Sequence, residues 1–122
     1  LTNLDDHTSS WEISETGICP VAETLRMLGG KYKPQILHCL LEQETHFLEL
    51  SRKIKGISRK ILSQQLRDLL SANLINRIEK NDARQRVEYS LTEKGYSLTL
   101  ILSQINDWAI THGSFAEVTK DV

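Results

Sequence analysis

In the segment GISRKILSQQLRDLL at 56–70, Lys60, Gln64 and Arg67 follow one another at intervals of four and three residues. That spacing stacks side chains on one face of a helix. At about 100° per residue, Lys60, Gln64, Arg67 and Ser71 share one side with Ser63 flanking, while Leu62, Leu66, Leu69 and Leu70 pack inward on the other. Long polar side chains projecting from a helix can do hydrogen-bond chemistry with the edges of nucleic-acid bases. Arg offers two bonds to guanine and Gln two to adenine. Lys60 suits a phosphate oxygen, and Arg59, partly turned toward the packed side, is assigned to phosphate as well. The competing reading is an ordinary amphipathic surface helix, the commoner fate of such a pattern.

A second candidate is Cys19, which directly precedes Pro20. Pro favours the first position of a helix, so Cys19 stands at a helix N-terminal boundary. Unpaired N–H groups and the positive end of the helix dipole there favour a thiolate, the form that attacks oxidants and electrophiles. Glu15 and Glu23 oppose the effect, so a moderate depression of the thiol pKa is expected. The alternative is a small residue filling an N-cap site. Cys39 lies mid-helix beside His38 near an apolar stripe and reads as a core thiol.

Other chemistries find no support in the spacing. A phosphate-binding loop ending at Gly30-Lys31 would need Gly in place of Leu25 and Ser or Thr in place of Tyr32. His7, His38, His46 and His112 form no i,i+4 pair and no metal spacing with the cysteines. No nucleophile–base arrangement can be argued, so neither an enzyme nor a metal or other cofactor is expected. Trp11 and Trp108 read as core or interface anchors.

The elements that must position these residues follow from periodicity. Residues 1–17 are polar without a clear period and are expected to be a flexible arm. A helix from Cys19-Pro20 places Val21, Leu25 and Leu28 on one face and ends at Gly29-Gly30. A second starts near Tyr32–Pro34 and buries Ile36, Leu37, Leu40 and Leu41. After a break at Gln43–Thr45, a third runs from about Phe47 to Ile54 with Phe47, Leu50 and Ile54 inward. Lys55-Gly56-Ile57 is a tight turn, and Ser58 caps a fourth helix reaching about Ala72. The period then drops to two: 75–80 and 86–91 alternate around the polar turn Asn81–Gln85, a β-hairpin. Thr92 caps a last helix whose Leu98, Ile101, Leu102, Ile105, Trp108 and Ala109 form a continuous apolar seam, ended by Gly113. Residues 114–122 read as a tail. The order is that of a winged helix-turn-helix, with the helix-turn-helix at Phe47–Ala72 and the wing at Ile75–Leu91. The fold class expected is mainly α with a small β-hairpin wing, in one domain over 18–113 that dimerises through its terminal helices.

Bulk composition agrees. The chain of 122 residues suits one domain, and its net charge of −1 conceals a gradient. Residues 1–50 hold three basic and eight acidic side chains, whereas residues 51–94 hold eleven basic and five acidic. A cationic middle third inside a nearly neutral molecule suits a polyanion. Two cysteines are too few for a secreted disulfide framework and fit a reducing cytoplasm. No apolar run approaches the ~18 residues of a membrane span, and no signal-peptide pattern is present, so no membrane partner is expected.

The strings CPVAETLRMLGGKYKPQILHCLL, FLELSRKIKGISRKILSQQLRDLLSANLI and RVEYSLTEKG resemble the HxlR-type bacterial transcription regulators, relatives of the MarR group, over roughly Cys19 to Trp108. The sequence departs from the family pattern at His46, usually Arg, and at Arg84-Gln85, usually Pro-Pro. The resemblance implies a homodimer on an inverted-repeat operator in double-stranded DNA. It also implies that a Cys in the Cys-Pro context of Cys19 senses oxidants or electrophiles such as quinones. Ser58, Arg59, Lys60, Ser63, Gln64 and Arg67 are then the expected DNA contacts of the recognition helix, and Lys80, Arg84 and Arg86 those of the wing. Leu98, Ile101, Leu102, Ile105 and Trp108 are the expected dimer interface. The runner-up is a winged-helix regulator governed by a small-molecule ligand, or a protein-interaction module, with Cys19 purely structural.

Overall fold

The computed structural model describes residues 11–84 and 86–113. Most of the expected arm (1–10), the expected tail (114–122) and Gln85 of the wing lie outside the described residues. The chain divides into two units between Gly30 and Lys31.

In the first unit, the Ser14 hydroxyl accepts the Ile18 amide at 2.9 Å and closes a turn. Helix α1 (Pro20–Leu28) follows, with Cys19 as N-cap and Pro20 at the first position. Of the apolar face expected here, Leu28 is buried, but Val21 and Leu25 remain 40% and 57% exposed.

The second unit opens with α2 (Lys33–Glu42). Its buried arc is Ile36, Leu37, Cys39 and Leu40. Leu41, expected inside, is 40% exposed: it falls beyond Leu37 at the edge of that arc, and Cys39 occupies the inward position instead. Strand β1 (Thr45–His46) follows, where the sequence suggests only a break. Two residues carry no period of their own; this strand exists because it pairs antiparallel with β3, Thr45 opposite Tyr89.

Helix α3 (Phe47–Lys53) buries Leu50 completely, and Ile54, just past its end, is 1% exposed. Phe47, also expected inward, is only half-buried. Gly56 then turns the chain with φ +84°, a left-handed conformation that side chains with a Cβ rarely adopt. Helix α4 (Arg59–Ser71) is capped by Ser58, whose hydroxyl accepts the Ile61 amide at 3.1 Å. Leu62, Leu66 and Leu69 of α4 are fully buried, while Leu70 is half-buried.

Strands β2 (Ile75–Glu79) and β3 (Val87–Leu91) pair antiparallel from Ile75↔Leu91 to Glu79↔Val87, and the sheet order is β1-β3-β2. One further bond, Lys80 N–H to the Arg86 carbonyl at 2.8 Å, extends the hairpin toward its tip.

Helix α5 (Glu93–His112) begins at Thr92, which accepts the Gly95 amide at 2.9 Å and donates to the Asn73 carbonyl at 2.7 Å. That double use ties the end of α4 to the start of α5. Along the expected seam Leu98 is buried and Leu102 and Ala109 half-buried, but Ile101, Ile105 and Trp108 are 54%, 49% and 63% exposed. Among the described residues no helix is long and apolar enough to cross a membrane.

Candidate nucleic-acid interface

Helix α3, the Gly56 turn and α4 form the helix-turn-helix, with α4 in the position of a recognition helix. Three contacts hold α4 in place. Leu62, Leu66 and Leu69 fill the core beneath it. Lys33 of α2 pairs with Asp68 at 3.4 Å. The Tyr32 hydroxyl reaches the Gly56 carbonyl at 3.5 Å, at the limit of a hydrogen bond. Anchored on its apolar side, α4 presents the other side outward: Arg59, Lys60, Gln64 and Arg67 are exposed and Ser63 is half-buried.

Electrostatics sharpen this face. Among the described residues no carboxylate pairs with Arg59, Lys60 or Arg67. Their charges therefore remain available to an external anion. Ser58 differs, because its oxygen already accepts the Ile61 amide as a helix cap, while its hydroxyl hydrogen can still be donated outward.

On the wing the expected cations separate into two kinds. Lys80 pairs with Glu44 at 3.0 Å and with Glu88 at 3.5 Å. The Glu44 carboxylate raises the Lys80 pKa, and Lys80 in turn holds the Glu44 carboxyl below its ordinary range. Arg86 grips Asp82 through two nitrogens at 3.0 and 3.3 Å and lowers the Asp82 pKa. Asp82 also accepts the Arg84 backbone amide at 3.1 Å, which shapes the tip. Arg84 itself is exposed, and its side chain has no ion pair among the described residues. Sequence reasoning missed Glu44 because it lies in the α2–β1 connection, far from the wing along the chain. Asp82 was open to detection, since it stands four residues before Arg86.

Cys19 is partly exposed. Its sulfur closes no cap hydrogen bond, yet it faces the free amides of the first turn of α1, and the Ala22 N–H is the main influence lowering its pKa. The Trp11 side chain adds to that effect, and Glu23 opposes it. Cys39 is the opposite case: burial raises its pKa, with Lys53 partly compensating. Both thiols are free. Among the described residues no group of three His, Cys, Asp or Glu side chains could hold a metal ion.

A family model of HxlR-like helix-turn-helix proteins matches residues 27–116. MalR of Fusobacterium mortiferum is 45% identical over 91 residues, covering 74% of this chain and 86% of that protein. Among solved structures, the redox regulator HypR in its oxidized form superposes with TM-score 0.71 at 33% identity, covering 77% of this chain and 97% of that one. The reduced form of the transcriptional regulator YodB from Bacillus subtilis superposes with TM-score 0.72 at 29% identity, covering 79% and 95%.

Proposed function

From the premise that this chain belongs to the HxlR-like helix-turn-helix family of transcriptional regulators, we propose that it binds an inverted-repeat operator as a homodimer and adjusts that binding through Cys19. The observation that carries the DNA reading is the α4 face: Arg59, Lys60, Gln64 and Arg67 exposed and without internal ion pairs, above a fully buried leucine row. The major groove of B-DNA, about 12 Å wide, admits one helix. Gln64 and Arg67 read bases, while Arg59 and Lys60 hold phosphate, and Ser58 and Ser63 donate hydroxyl hydrogens beside them. Arg84 adds the wing's phosphate contact. Lys80 and Arg86 contribute less, because each is already neutralised by acids of its own wing or of the neighbouring connection.

Dimerisation places two α4 helices on one face of the duplex, with half-sites about 34 Å apart or a multiple of that. The exposed Ile101, Ile105 and Trp108, with Leu98 and Leu102 beneath, supply the apolar seam. Cys19 supports the sensing part. It is reachable from solvent and its thiolate is favoured by the N-terminus of α1. Two structural relatives, HypR and YodB, were solved in states defined by oxidation or reduction. The Cys19 thiolate attacks a ring carbon of a quinone, forming an S–C bond while the displaced C=C pair moves onto the quinone oxygen and is protonated; with a peroxide it takes one oxygen as the O–O bond breaks and hydroxide leaves, and a second thiol can then displace that oxygen as water to give a disulfide. Either product changes the charge and bulk at the cap of α1, and through α1 the spacing of the two recognition helices.

The test is selection of bound duplexes from a random pool, with and without a thiol-selective oxidant or a quinone. An inverted repeat recovered only from reduced protein supports the full reading. A repeat recovered equally in both arms leaves Cys19 as a structural cap and points to another effector. Recovery of no motif, with little salt dependence, would indicate a protein-interaction module.

A further inference from the structure

The first turn of α4 is pinned. The Ser58 hydroxyl accepts the Ile61 amide at 3.1 Å and fixes the backbone there. The Ile61 side chain nevertheless stays 37% exposed, and it is the one exposed large apolar side chain on α4. A single exposed apolar residue is ordinary on a protein surface; the place of this one is not. It follows the exposed Lys60 directly and stands one turn before the exposed Gln64, to which it is an i,i+3 neighbour. That is the N-terminal end of the helix, the end that reaches base edges when a recognition helix enters the major groove. Most of what base edges present in that groove is hydrogen-bond donors and acceptors, and an isoleucine can satisfy none of them. The groove carries one apolar feature, the 5-methyl group of thymine. Isoleucine is branched at Cβ, so its χ1 is restricted and its methyl groups are aimed before any contact forms.

We propose that Ile61 determines specificity by packing on the 5-methyl group of one thymine in each half-site. Resting on the reading of α4 as a recognition helix, this contact adds a different chemistry to it. Lys60, Gln64 and Arg67 act through charge and hydrogen bonds, whereas Ile61 acts by removing apolar surface from water. The spacing also selects the thymine. Three residues separate Ile61 from Gln64, about 4.5 Å along the helix axis, and successive base pairs are about 3.4 Å apart. The thymine therefore belongs to the base pair next to the one that Gln64 reads.

The test uses the full chain and the operator selected from a random pool. In a set of duplexes, each thymine of a half-site is replaced in turn by deoxyuridine, which keeps the base pair and lacks the methyl group. One replacement, beside the base read by Gln64, is expected to weaken wild-type binding about fourfold, the worth of one buried methyl-sized group. Ile61→Ala is expected to lose about as much on the intact operator and to be indifferent to that same replacement, while its preference at the positions read by Gln64 and Arg67 stands. The replacement in the DNA leaves the protein untouched, so altered folding cannot imitate its effect. Wild-type indifference to every deoxyuridine, or equal sensitivity in Ile61→Ala, overturns the thymine contact while the operator reading stands. Recovery of no motif from the pool overturns the operator reading and the thymine contact with it.

Discussion

Gly95 packs so closely against Leu74 that a Cβ on it would lie 2.0 Å from the Leu74 carbonyl oxygen. The obstacle is backbone, which cannot swing aside as a side chain could. The same carbonyl accepts the Thr92 amide at 3.1 Å, so it is held where it is. Gly95→Ala should therefore destabilise the fold by about 2–3 kcal/mol, the scale of overpacking, read as a fall in the urea midpoint. Thr92→Ala should cost about 1 kcal/mol as a lost cap.

On α4, Gln64→Ala or Arg67→Ala should cost ~1–3 kcal/mol at a selected operator and relax preference at one base position. Lys60→Ala should instead weaken selected and random duplexes alike. Equal losses on both duplexes for Gln64 and Arg67 would remove them from base reading.

The wing cations should divide as their ion pairs do. Arg84→Ala should lower the slope of log affinity against log salt by ~1. Lys80→Ala should change that slope much less, while Glu44→Gln, which leaves Lys80 paired with Glu88 alone, should steepen it. Glu44 and Asp82 have lowered pKa values in the fold. Their contribution to holding the wing is therefore complete above the ordinary carboxylate range, about pH 4. It is lost as pH falls through the lowered folded values. NMR titration of the wing amides would show that loss only in the acid range; a transition near neutrality would contradict it.

If the α5 seam joins two copies, Ile105→Asp should yield monomers that keep their helical circular dichroism and lose specific operator binding. Sedimentation of the wild type is the control. A wild-type monomer at micromolar concentration would end the dimer proposal.

The two thiols should differ in reactivity. Cys19, with its pKa lowered by the amides of α1, should be alkylated faster near neutral pH than Cys39, whose pKa is raised by burial. The rate at Cys19 should reach half its maximum below the free-thiol value of about 8.5. Cys19→Ser should abolish the oxidant response of operator binding, and a response of wild-type size in that variant would make Cys19 a cap only.

Local rules determined much of this protein before any packing was known. The Ser58 and Thr92 caps, the Gly56 turn, the leucine row of α4 and the paired strands of the wing all follow from side-chain chemistry within a few residues, and each stands where its pattern put it. The outward set of Lys60, Gln64 and Arg67 is likewise a consequence of helical period, whereas Arg59, which the period turns partly toward the packed side, is exposed at the first position of α4. What packing decided lay between distant residues. Strand β1 forms only because β3 offers it a free edge. Cys39 is buried and Leu41 is left exposed because β3, α3 and α5 cover one arc of α2 and not the other. Lys80 is neutralised because the sheet brings Glu44 beside it. Gly95 is required by a carbonyl from the other side of the hairpin. A repeating period specifies which side of an element faces the core; it carries no information about which distant side chain arrives there, and that is set by three-dimensional packing.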